Sequence, residues 1–99
     1  MTDTTTRRGL AEVAMPQPSR YLQQLCKHFA HKLPVTHDAA SGRIEFPMGV
    51  CELAAEDGVL RLTCISPDAE QLARLEDVVA RHLVRFAFRE ELVIDWKPA

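Results

Sequence analysis

The spacing of apolar and polar positions changes repeatedly along the chain, and each change marks an element. Leu10 to Met15 predicts a short strand that Pro16 and Pro18 end, the second proline being suited to the first turn of a helix. From Ser19 to Lys32 the period becomes helical. Tyr21, Leu22, Leu25, Cys26, Phe29 and Leu33 share one face, while Arg20, Gln24, Lys27 and His31 line the other and His28 falls at the border. Pro34 stops this helix after Leu33. Val35 to Asp38, Arg43 to Phe46, Val50 to Ala55 and Val59 to Ile65 predict four strands. They are joined by turns at Ala39–Gly42, Pro47–Gly49 and Asp57-Gly58, the last a tight-hairpin dipeptide. Ser66 predicts an N-cap and Pro67 the first position of a second helix, with Asp68 and Glu70 near its positive end. That helix runs to about Phe86, gathering Leu72, Leu75, Val79, Leu83 and Phe86 on one side, with His82 at the edge of the stripe. Leu92 to Trp96 alternates once more as a last strand.

The order β-α-β-β-β-β-α-β defines an α+β fold in which two helices cover one face of an antiparallel sheet. Residues 10–98 form one α+β domain and residues 1–9 a flexible leader. The uncovered sheet face should present Arg43, Glu45, Glu52, Arg61, Thr63, Val93 and Asp95, a mixture of signs suited to cross-strand pairing. Phe46 and Trp96 fall in the buried set, so that face lacks the stacking rings of a single-strand nucleic-acid platform.

At 99 residues the chain supports one modest core, and its 46% hydrophobic and 26% charged residues match a globular domain. Twelve Lys and Arg against fourteen Asp and Glu leave a net charge of −2, which supplies no field for nucleic acid or anionic membrane. No apolar run suits a signal peptide or a bilayer span, so a cytoplasmic location is expected. The cysteines, Cys26, Cys51 and Cys64, contain no Cys-x-x-Cys pair. Cys51 and Cys64 alternate with leucines and point to the core as small hydrophobes.

Chemistry concentrates in residues 19–32. Cys26 and His28 point to nearly opposite sides of a helix and cannot clamp one metal. His28 and His31 are surface neighbours, and His82 joins them if the two helices lie side by side. That places Arg20, Lys27, His28, His31, Lys32 and His82 as the candidate binding residues, with no catalytic residue and no resident metal assigned. The alternatives are a metal-dependent or other small enzyme using His28, His31 and His82, and a structural domain that dimerises through its sheet face or helices. Gly9, Gly42, Gly49 and Gly58 lie at strand ends and turns and build no phosphate-cradling loop, so no cofactor is expected. An enzymatic role is less favoured than a binding one.

Several words of the sequence carry a likeness: Ser19-Arg20-Tyr21-Leu22, Leu25-Cys26-Lys27-His28 with His31-Lys32, Gly42-Arg43-Ile44, and His82 through Phe86-Ala87-Phe88-Arg89-Glu90-Glu91-Leu92. Together, over about Ala11 to Pro98, they resemble a small bacterial family, domain of unknown function 2218. The resemblance implies proteins of about this length, or domains fused to flavin-containing siderophore-interacting reductases, encoded near iron-siderophore uptake functions. It therefore implies an anionic iron chelate or such a reductase as partner. The element order also resembles the TATA-box-binding-protein-like fold of the phosphohexomutase carboxy-terminal domain.

Overall fold

A computed structural model describes residues 6–99. Its element order is β1 (Arg7–Ala14), α1 (Pro18–Phe29), β2 (Val35–His37), β3 (Ser41–Phe46), β4 (Gly49–Glu56), β5 (Val59–Ser66), α2 (Ala69–Phe86) and β6 (Lys97–Pro98). All pairings are antiparallel, and the strands lie in the order β2-β3-β4-β5-β1-β6. Both helices pack on one face, as the period changes predict. The core joins Leu22, Leu25 and Cys26 of α1 and Leu75, Val79 and Leu83 of α2 to the inward positions Ala11, Val13, Ile44, Phe46, Cys51, Leu53, Leu60, Leu62 and Cys64. The opposite face carries cross-strand ion pairs: Arg43 lies 3.7 Å from Glu52, both in the expected set, and Arg61 meets Glu12 at 3.0 Å and Glu56 at 2.7 Å, two carboxylates outside that set.

Four expectations are corrected. The flexible segment expected over residues 1–9 does not reach its expected end: residues 1–5 lie outside the described ones, and Arg7, Arg8 and Gly9 pair with Ser66, Ile65 and Cys64. Ser66 is not an N-cap. It continues the inward alternation of Leu60, Leu62 and Cys64 as the buried last residue of β5, and its hydroxyl has no hydrogen-bond partner. Asp68 takes the cap, in extended backbone, its carboxylate accepting the Gln71 N–H at 2.8 Å. The first helix ends at Phe29 rather than Leu33, because the Lys32 N–H turns to Phe29 O at 3.1 Å, a tighter i→i−3 bond, and the same carbonyl also accepts from Leu33 N–H at 2.9 Å, so the regular ladder stops before Pro34.

The fourth correction concerns the last strand. Leu92, Ile94 and Trp96 do face the core and Val93 is 77% exposed, so the alternation is present. Yet only Lys97 and Pro98 form a ladder, opposite Leu10 and Gly9. Residues 92–96 form no ladder with β1, and a cleft of ≈ 310 Å³ lined by Leu10, Glu12, Ala14, Glu91, Val93, Asp95 and Lys97 lies between the two segments. Period-2 burial reports which way side chains point and says nothing of whether a neighbouring backbone is within hydrogen-bonding distance.

Gly42 and Gly49 fit the helices to the sheet. A methyl group at Gly42 would meet Cys26 Sγ at 2.7 Å, so its absence lets α1 settle onto β3. Gly49 combines a φ of 156° with the Ile65 carbonyl against it, which restricts this strand start to glycine. Among the described residues no helix is long and apolar enough to cross a membrane.

Candidate functional site

The helices meet over an aromatic seam. Phe29 of α1 packs edge-to-face on Phe46 of β3 with centroids 4.8 Å apart, and lies 4.8 Å from the ring of His82 on α2. His28 covers this seam from outside: its ring is 4.9 Å from Phe29, 5.3 Å from Phe86 and 5.2 Å from His82. The sequence places His28 and His82 at the borders of their apolar stripes, and the borders of two helices packed side by side are where such residues meet. His82 is thus brought to His28, the approach that the metal-dependent alternative requires.

The two imidazoles differ in what holds them. His82 Nδ1–H donates to Val78 O at 2.7 Å, one turn earlier on α2, which fixes its tautomer and leaves Nε2 as the atom available to a ligand. His28 is exposed and has its pKa lowered. Partial desolvation against the seam is the first cause, followed by the charges of His82, His31, Arg85 and Lys32. Every charged group acting on it is cationic or imidazole. Among the described residues, neither Lys32 nor Arg85 belongs to an ion pair, whereas Arg81 is held by Asp77 at 2.9 Å. Arg81, His82 and Arg85 line one shallow depression. The result is a local cationic patch on a chain of net negative charge.

The other candidates are placed as follows. His31 and Lys32 lie in the turn after α1, still within electrostatic reach of His28. Lys27 and Arg20 sit on the outward side of α1, where they line a separate hollow with Gln23 and Gln24. Arg20 also donates to Gln17 Oε1 at 3.3 Å. Arg85 joins the site although its position in the last turn of α2 is already explained by the helix dipole. The signal that finds it is the side-by-side packing of the helices, which no single-helix pattern contains.

The metal-dependent alternative loses its ligand set. Among the described residues no group of three or more His, Cys, Asp or Glu side chains is placed to hold a metal ion. His31 leaves the helical line with the early end of α1, so its ring does not join the other two. The cysteines are no substitute, since all three are free and buried. Burial pushes the Cys26 thiol up to about 11, and a hydrogen bond with Cys64 together with burial raises Cys51, which makes both thiols poor nucleophiles.

Two amphipathic helices on one face of an antiparallel sheet, with an imidazole-lined seam between them, define a small helix-on-sheet domain. The chain belongs to the family described as "Uncharacterized protein conserved in bacteria (DUF2218)", whose pattern it matches over residues 10–97. Among solved structures it is similar to the NMR structure of PA4090 from Pseudomonas aeruginosa. The two share 39% sequence identity and a TM-score of 0.80, over 94% of this chain and 97% of that one. No curated protein matches the chain.

Proposed function

We propose that this protein is a non-enzymatic binding domain whose interhelical patch, built from His28, His82, Lys32 and Arg85 with His31 beside them, takes an anionic ligand or the acidic surface of a partner. The observation that carries the reading is that four positive or protonatable groups act on His28 and no carboxylate does. Like charges gathered without counter-charges are costly to the folded chain, and an arriving anion relieves that repulsion. Lysine and arginine supply charge-assisted hydrogen bonds, and each imidazole adds a charge as the pH falls.

The family resemblance narrows the anion. A setting in siderophore utilisation makes an anionic iron chelate the ligand, with a siderophore-interacting reductase as the partner that receives it. For the fold, we hold to the TATA-box-binding-protein-like comparison on the element order alone, and it lends the function nothing.

The reading is tested by titrating the protein with a ferric tricatecholate, a compact trianion, and with a neutral tricatechol lacking iron. Binding of the ferric complex should saturate and weaken as salt is added. The double variant Lys32→Gln with Arg85→Gln should bind about tenfold or more weakly, the loss of charge-assisted contacts, with an unchanged melting temperature because both side chains are exposed. Equal affinity of the variant and the unaltered protein would contradict the proposal.

A further inference from the structure

Beyond the imidazole pair, where the start of α1 meets the end of α2, the surface holds a depression of ≈ 360 Å³ lined by Arg20, Tyr21, Phe86, Phe88, Arg89 and Glu90. Phe86 divides it from the patch described above, since its ring meets His28 at 5.3 Å on one side and lines the depression on the other. The walls pair guanidinium with ring twice: Arg20 lies 5.8 Å from the Tyr21 centroid, and Arg89 lies 5.4 Å from the Phe88 centroid. Neither arginine is in an ion pair among the described residues, and Glu90 is the one carboxylate lining the depression against two guanidiniums. Phe88 stands 74% exposed, a large ring left in water beside a cation.

We infer that this depression is a binding site for an aromatic carboxylate of about one ring. Its volume is near the lower end of the range of about 300–1,000 Å³ that small-molecule pockets occupy, which suits a small ligand. Aryl surface covers Phe88 and Phe86 in stacked or edge-to-face contact, the arrangements that aromatic pairs prefer. The carboxylate accepts from Arg20 and Arg89, whose planar forks match its two oxygens. The excess positive charge of the pocket requires the ligand to be an anion, and its rings favour an aryl body over an aliphatic one. The site shares a wall with the imidazole patch and does not depend on an anion binding there.

The experiment is an NMR titration of the full chain with benzoate, followed on the ring protons of Tyr21, Phe86 and Phe88 and on Arg89 Nε–H, with cyclohexanecarboxylate and benzamide as probes lacking one feature each. Benzoate should give saturable shifts at these four residues, and both comparison compounds should bind more weakly. Arg89→Gln and Phe88→Ala, both exposed and so without consequence for folding, should each raise the benzoate dissociation constant by about tenfold. Lys32→Gln with Arg85→Gln should leave that constant unchanged, which separates this pocket from the neighbouring patch. Absence of saturation, equal binding of cyclohexanecarboxylate, or benzoate affinity indifferent to both pocket variants would overturn the inference.

Discussion

His28 is the residue on which most of the account turns, and its environment fixes a sign. Desolvation first, and the neighbouring His82, His31, Arg85 and Lys32 after it, disfavour the imidazolium, so the folded chain takes up this proton at lower pH than the unfolded chain does. The stability linked to His28 is therefore fully present above about pH 6.5, its unfolded value, and is lost as the pH falls through the folded value. His82→Gln removes the second cause and leaves the first. A histidine NMR titration should then show the His28 midpoint moving up toward 6.5 without reaching it. No movement would mean that His82 exerts no charge on it. Glu76 titrates in the opposite sense: desolvation raises its carboxyl, so the stability tied to its protonated form is present below its unfolded value and is lost as the pH rises through the folded one. Glu76→Gln should raise the melting temperature at pH 7, and the gain should vanish near pH 4.

At the scale of elements, the N-terminus of α2 separates what the sequence makes legible from what it does not. The helix, its apolar stripe and its start within two residues follow from spacing, but Ser66 and Asp68 are both good caps on composition. What decides between them is the strand before the helix. Ser66 is in phase with Leu60, Leu62 and Cys64, and the pairing of Arg7 with Ser66 extends β5 by that one residue. Replacing Asp68 by Ala should therefore cost about 1 kcal/mol, the usual worth of a side-chain cap. Ser66→Ala should be neutral or stabilising, because its buried hydroxyl has no partner to lose. Chemical denaturation of the two variants checks this, and a larger loss at Ser66 than at Asp68 would reverse the assignment. The early end of α1 is harder to read. Residues 30–33 keep helical composition, and only the turn that carries the chain into Pro34 takes His31 and Lys32 out of the helix.

Across the whole molecule, the sheet order is the part that local pattern conceals. Alternation identifies β1 and β5 as strands, but nothing in either segment states that they are partners across 44 or more residues of intervening chain, or that β1 lies inside the sheet with β6 beyond it. The same limit applies to the site. Single-helix geometry puts His28 and His82 at two stripe borders, and only the packing of α1 against α2 brings them together and adds Arg85. Leu62, fully buried on β5 between β4 and β1, reports on this shared core. Leu62→Ala should destabilise by about 2–5 kcal/mol in urea unfolding, the usual cost of such a cavity.

The central claim is that the interhelical patch attracts an anion to His28. The most direct measurement is the NMR titration midpoint of His28 with and without saturating ferric tricatecholate replaced by a diamagnetic gallium analogue. A bound anion stabilises the imidazolium, so the midpoint should rise when the complex is added, and the rise should shrink in Lys32→Gln with Arg85→Gln. A midpoint that stays where it is in the free protein would contradict the account.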